Sequence, residues 1–321
     1  MSRDAAADYV LEHCGSLKAG ESVVVVCDDR TRDIASLFAA RATGKGAAAT
    51  LHHAPAAPMH GTEPPPPIGR AMAKADLILG LTTMSMAHTK ARGEACRNGA
   101  RYLSMPDYTW DLLTDRCVLT DYRSRAPVVR RIADLFTAGG RVHVTGPSGT
   151  DIRLNITGRR GNYCPGFVDA PGDLGSPPDI EANVSPVETD SEGVVVVDGS
   201  IPCREIGLLT SPVRLTVEKG RIVRFAGDAA VVGRLEKLFA DVGDERSKVL
   251  AECGVGLNLD AVLQGLMLTD EGAFGCLHFG FGANSTVGGT NEVPFHLDFV
   301  FRAGNLSVDG HPVFENGRLL P

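Results

Sequence analysis

The run Pro294-Phe295-His296-Leu297-Asp298-Phe299-Val300-Phe301 places an imidazole and a carboxylate two residues apart inside an apolar, strand-like stretch. On a strand, residues i and i+2 project to one face. His296 and Asp298 can therefore share one ligand, and a metal ion suits both. Upstream, His278 lies in Cys276-Leu277-His278-Phe279-Gly280-Phe281-Gly282, Glu252 in Leu250-Ala251-Glu252-Cys253-Gly254, and Glu181 in Asp179-Ile180-Glu181-Ala182-Asn183-Val184. Burying a lone carboxylate is costly, and a bound cation offsets that cost. Imidazole plus carboxylate is the donor set that zinc, cobalt, manganese and iron(II) share. Three carboxylates and two histidines exceed one tetrahedral ion's needs and suit two ions with a bridging water or carboxylate. Strand-end and loop polar groups, each satisfied by a hydrogen bond, are the plainer reading, since an H-x-D triplet is a short motif.

Other residues could contribute to a site. His88 follows a strand signal and opens a helix, where its ring could face a cleft. Arg92, one helical turn later, could grip a substrate carboxylate bidentately; a surface salt bridge is the alternative. Asn284 and Ser285 could line a pocket, although Gly-Ala-Asn-Ser is also turn composition. His143 alternates with Val142 and Val144 and reads as a sheet histidine with its own partner.

These side chains need a scaffold. Strand signals at Glu21–Cys27, Ala47–His52, Ala75–Leu81 and Ala100–Ser104 alternate with helical stretches from about Arg32 to Ala42 and Thr89 to Arg97. Near-continuous apolar strands separated by helices predict a parallel sheet covered on both faces. No Gly-x-Gly-x-x-Gly follows the first strand, so a dinucleotide fingerprint is absent. Pro55–Pro67, with four consecutive prolines, reads as an exposed loop. Beyond residue 126 strand and turn signals dominate, including a hairpin around Lys219-Gly220, and one helix from about Val231 to Asp241 interrupts them. The expected architecture is an α/β domain over 1–125 and a strand-rich α+β domain over 126–321. The second carries every candidate metal ligand, with the site expected at the interdomain rim of the first sheet.

The 321 residues can bury a sizeable core, and 43% hydrophobic with 22% charged residues is ordinary globular composition. A net charge of −7 argues against a nucleic-acid partner. Arg123, Arg125, Arg130 and Arg131 cluster, as a solvated helix face or linker would. No stretch approaches the roughly 18 apolar residues of a membrane span. The N-terminal residues lack the apolar core of a signal peptide. The eight cysteines form no Cys-x-x-Cys pair. A reducing, cytoplasmic setting is expected.

In order and spacing, several motifs resemble the thermophilic metalloaminopeptidases of the aminopeptidase T and aminopeptidase S type. They are Gly149-Thr150-Asp151-Ile152, Val187-Glu188-Thr189-Asp190-Ser191-Glu192-Gly193, Val197-Asp198-Gly199-Ser200, Glu252–Asn258, Asp270-Glu271 before His278, Gly288-Gly289 and His296-Leu297-Asp298. The resemblance spans most of residues 140 to 315. It implies Glu181, Glu252, His278, His296 and Asp298 as metal ligands. The shorter N-terminal domain, Gly282–Gly289 and His88 in Met86-Ala87-His88-Thr89 instead resemble 2,5-dihydroxypyridine 5,6-dioxygenase, a mononuclear non-haem iron enzyme. That enzyme carries a histidine at the position of Glu252 and apolar residues at those of Glu181 and His278. The aminopeptidases' active-site tyrosine falls on Ser285, which turns the expectation toward a small cyclic or aromatic amide as well as a peptide.

The resulting expectation is a metal-dependent hydrolase of a C–N bond, with two zinc, cobalt or manganese ions activating a water. Glu181 or Glu252 would take the water's proton, and His88 would hold substrate or oxyanion. His88, Arg92, Asn284 and Ser285 would contact a small-molecule or peptide substrate, and a homodimer is expected. The alternatives are an iron(II) ring-cleaving dioxygenase built on His278, His296 and Asp298, and a non-catalytic metal-stabilised binding protein.

Overall fold

The computed structural model describes residues 1–302 and 304–321. They fall into two compact units, Met1–Tyr122 with Gly166–Pro178, and Arg123–Pro165 with Asp179–Pro321.

The first unit is a five-stranded parallel sheet in the spatial order Ala48–His53, Ser22–Cys27, Leu77–Leu81, Arg101–Ser104, Leu174–Gly175. Its central strands are buried almost throughout, which is why they read as unbroken apolar runs. The edge strand Ala48–His53 stays largely exposed. Helix Arg32–Gly44 buries Ile34, Ala35, Phe38 and Ala42, a stripe at helical spacing. Helix Lys90–Arg97 starts at Thr89, whose hydroxyl accepts the Arg92 N–H at 3.2 Å. The proline run is only partly loop. Pro66 and Pro67 open helix Pro66–Met72, where a missing N–H costs nothing and a fixed φ is already helical.

The second unit holds two antiparallel sheets. One has eight strands, ordered Arg221–Ala226, Val213–Glu218, Ser191–Val197, Asp151–Asn155, Arg141–Thr145, Asn305–Val308, His311–Glu315, Arg318–Leu319. The hairpin turn expected at Lys219-Gly220 is present, with both residues at positive φ (49° and 74°). His143 pairs with Asp151 at 2.8 Å, a satisfied sheet histidine. Helix Ala229–Val242 is capped by the Asp228 carboxylate at one end and by Gly243 in the left-handed region at the other. The arginine cluster belongs to helix Tyr122–Ala138. There Arg125 donates to Leu257 O, Arg131 donates to Leu320 O, and Arg130 lies over the Tyr163 ring. These contacts tie the helix to its own unit. Among the described residues no helix is long and apolar enough to cross a membrane.

The other sheet has seven strands, ordered Gly207–Leu208, Ser200–Ile201, His296–Arg302, Cys276–Gly282, Leu250–Gly256, Glu181–Val184, Gly161–Cys164. Strand alternation gives it two unlike faces. One carries Ala182, Val184, Cys253, Val255, Leu277, Phe279, Phe281, Leu297, Phe299 and Phe301, all buried. Phe279 meets Phe301 at 5.3 Å between ring centres, and Phe281 meets Phe299 edge-on at 5.4 Å. Truncating Phe299 to alanine removes a fully buried ring from this layer. Its expected cost is about 3–5 kcal/mol, read by denaturant unfolding of metal-free protein. A loss below about 1 kcal/mol would show that this face does not carry the unit's stability.

Candidate metal centre

The opposite face of the seven-stranded sheet is polar. Register places the candidate ligands on it together. Gly254 stands between His278 and Asn183 on its neighbouring strands. Gly280 stands between Glu252 and Asp298, and Gly282 opposite His296. Gly256 pairs with Glu181, which pairs in turn with Cys164. A side chain beside each ligand would fill the space the ligands occupy. A Cβ on Gly254 would lie 2.0 Å from His278 Nε2, and one on Gly280 would lie 2.5 Å from His296 Nε2 and 2.9 Å from Asp298 Oδ1. The glycines at alternate positions, Glu252-x-Gly254-x-Gly256 and His278-x-Gly280-x-Gly282, thus form a hollow under the donors.

Two donor groups converge there, each with ligand atoms within 4.8 Å of one another: Glu181, Glu252 and His278, and Glu252, His296 and Asp298. Glu252 belongs to both. Its Oε1 lies 3.8 Å from His278 Nε2 and its Oε2 lies 3.6 Å from His296 Nε2. His278 Nε2 is 3.1 Å from Glu181 Oε2, and His296 Nε2 is 3.3 Å from Asp298 Oδ1. The triad of His278, His296 and Asp298 expected for iron is therefore not the grouping found: Glu252 joins His296 and Asp298, while His278 pairs across to Glu181. Four of the five donors are buried. His296 alone keeps solvent access, with its side chain 31% exposed.

Neighbouring groups hold the donors in place. Ala283 O sits 2.8 Å from His296 Nδ1, so that nitrogen donates and Nε2 is left facing Glu252 and Asp298. Asn183 donates to Glu181 Oε1 at 2.6 Å and accepts from Asn162 at 2.7 Å. The Glu271 carboxyl interacts with that of Asp298, and Asp179 joins the same acidic group. Sequence reasoning gave Asp179, Asn183 and Glu271 no role in the site. The glycine alternation was the legible signal of a hollow, whereas Asp179 and Glu271 come near the donors only when the chain is folded.

The charges are unbalanced. Burial drives the Asp179 and Glu271 carboxyls well above their usual range, and neighbouring carboxylates push the same way. Burial also raises Glu252, which His278 partly offsets. Burial opposes charge on both imidazoles, yet the carboxylates outweigh it. His278 is held well above the ordinary range by Glu181, Glu252 and Asp298, and His296 is pushed up to about 9 by Asp298 and Glu252. Asp298 is lowered despite its burial, because His296 and His278 favour its anion. Beyond the ion-pair contact of Glu181 Oε2 with His278 Nε2, Glu181 Oε2 and His278 Nδ1 are buried without a hydrogen bond among the described residues. Converging ligand atoms, excess buried carboxylate and a glycine-lined hollow fit a divalent cation.

The remaining candidates are not members of the two donor groups. His88 and Arg92 belong to the first unit, and Arg92 donates from Nε to Ala87 O. Asn284 is fully buried, its amide donated to Glu188 and its carbonyl accepting from Asn291 N. Ser285 is exposed.

The family model for 2,5-dihydroxypyridine 5,6-dioxygenase, NicX, matches residues 5–321. No curated protein matches the sequence. Among solved structures, 2,5-dihydroxypyridine dioxygenase from Pseudomonas putida KT2440 is similar at a TM-score of 0.85 and 21% identity, covering 100% of this chain and 98% of that one. AmpT from Thermus thermophilus is similar at a TM-score of 0.72 and 16% identity, covering 99% of each. At these identities both likenesses show the fold alone. The aminopeptidase resemblance is thereby corrected to a more distant likeness, and the expectation of a C–N hydrolase or aminopeptidase falls with it. The physical reason is that five donors on one sheet face suit more than one metal chemistry, whereas the family match draws on both units. The chain belongs to the NicX, or 2,5-dihydroxypyridine 5,6-dioxygenase, family.

Proposed function

We propose that this chain is a metal-dependent, ring-cleaving dioxygenase acting on a hydroxylated nitrogen heteroaromatic of the 2,5-dihydroxypyridine type. The observation that carries the reading is the convergence of Glu252, His296 and Asp298 on one hollow, with His296 at its solvent side, in a chain of this family. Iron(II) bound by these residues would supply redox chemistry toward dioxygen and a Lewis-acid anchor for a substrate hydroxyl.

The chain's own residues do the rest. Glu252, His296 and Asp298 would hold the ion. Ala283 O fixes the His296 ring so that Nε2, facing Glu252 and Asp298, would be the ligating atom. Glu181 steadies His278, whose Nε2 can hold or release a proton beside the substrate as its hydroxyl ionises. The apolar layer behind the sheet keeps water out from that side. His88 is proposed to bind substrate, on the resemblance of Met86-Ala87-His88-Thr89. Both atoms of dioxygen enter the ring-opened product as one ring C–C bond breaks, so no external reductant is consumed.

Four outcomes follow from this reading. Protein loaded anaerobically with iron(II) should consume one dioxygen per 2,5-dihydroxypyridine opened, recorded with an oxygen electrode and the loss of ring absorbance. Turnover without oxygen uptake would overturn the proposal. Metal analysis should find one ion per chain, and saturating metal at about 100 times its dissociation constant should add about 2.7 kcal/mol to unfolding stability; unchanged melting would argue against a site in the hollow. Gly280→Ala should abolish metal uptake while the protein stays folded, since its methyl intrudes on His296 and Asp298, and full retention would remove the hollow's role. His88→Ala should raise KM at unchanged metal content, and an unchanged KM would exclude His88 from the substrate.

A further inference from the structure

Thirteen residues without regular structure, 283–295, connect the strand that carries His278 to the strand that begins at His296. A connection of this length in a compact unit is commonly functional. Its base continues the ladder for one more pair, with Ala283 N–H donating to Phe295 O at 2.8 Å. The neighbouring peptide then aims Ala283 O at His296 Nδ1. What keeps this base closed is Asn284. Its backbone N–H donates to Asn291 O at 3.0 Å, its side-chain carbonyl accepts Asn291 N at 2.7 Å, and Asn291 in turn donates to Gly282 O at 2.6 Å. Gly289 packs so closely on Asn284 that a Cβ there would fall 2.1 Å from its amide carbon.

One side chain outside the connection clasps it. Glu188 Oε1 accepts from Asn284 Nδ2 at 3.0 Å, from Thr290 N at 2.7 Å and from the Thr290 hydroxyl at 3.1 Å. Its Oε2 pairs with Arg159, whose other nitrogen donates to Gly288 O at 2.8 Å. Both partners are mostly buried, at 14% and 16% side-chain exposure. Glu188 is itself held rigidly. Val187 N–H donates to Asn155 O at 2.7 Å, and Gly220 lies against Glu188's backbone so tightly that a Cβ would meet its carbonyl at 2.1 Å. Neither donor group contains Glu188.

We propose that Glu188 is a positioning residue for the metal centre: by clasping Asn284 and Thr290 it sets the Ala283 carbonyl, and through it the orientation of the His296 ring. The inference rests on His296 being a metal ligand. Loss of an outer partner of a ligating histidine commonly weakens metal binding about 10- to 100-fold.

The test titrates cobalt(II) alone into metal-free protein, reading affinity, the visible ligand-field spectrum and the melting temperature of each metal-free variant. Glu188→Ala should bind cobalt about 10- to 100-fold more weakly, with an altered spectrum. Glu188→Gln keeps an acceptor oxygen for Asn284 and Thr290 and should restore the wild-type spectrum with affinity within a few-fold. Should Glu188→Ala not fold, Thr290→Val removes one donor and should weaken cobalt binding by a smaller factor in the same direction. Wild-type affinity and spectrum in Glu188→Ala, or in Thr290→Val where only that variant folds, would overturn the inference alone. A glutamine variant as impaired as the alanine variant would also overturn it, by assigning the effect to the Arg159 pair. A wild type that takes up no cobalt would overturn the metal centre itself and this inference with it.

Discussion

More carboxylates than imidazoles are buried on one face of an antiparallel sheet, and that imbalance is the constraint around which the second unit is arranged. Asp179, Glu181, Glu252 and Asp298 are each at most 7% exposed. Buried carboxylates persist only when protonated, paired or bound to a cation. Here the surrounding acids favour the charged forms of His278 and His296, and burial favours the neutral forms of Asp179 and Glu271. A divalent cation would replace that arrangement with a fixed charge. Metal affinity and the stability of this sheet would then be coupled.

The same strands meet a second demand. Glycine at alternate positions opens the hollow but weakens a strand, since it adds no packing and loses more backbone entropy. The opposite face compensates. Phe279, Phe281, Phe299 and Phe301 interleave on the core side of the two strands that carry His278, His296 and Asp298. Period-two alternation thus lets a single stretch of sequence supply a rigid apolar layer and a polar metal cradle.

Donor identity alone does not decide the chemistry. Five donors in the same order suggested a hydrolase, and the match across both units assigns the dioxygenase family instead. A carboxylate shared by two imidazole-containing groups is a geometric fact of this sheet. Which reaction it serves depends on what fills the remaining coordination positions and on the residues that receive the substrate.

The sequence by itself determined the alternation of strand and helix in the first hundred residues, the strand-rich second half, the hairpin at Lys219-Gly220, and the shared face of His296 and Asp298. Each is a local property, written in hydrophobic period, turn residues and i, i+2 spacing. The grouping of the donors was decided by register: Glu252 faces both His278 and His296 because Gly280 stands opposite it and Gly254 opposite His278. Likewise Glu271 reaches Asp298, Glu188 clasps Asn284 and Thr290, and residues 166–178 return to the first unit, where they add a fifth strand to its sheet. These contacts join residues far apart in the chain, and local spacing carries no information about pairings that form only when separate strands align.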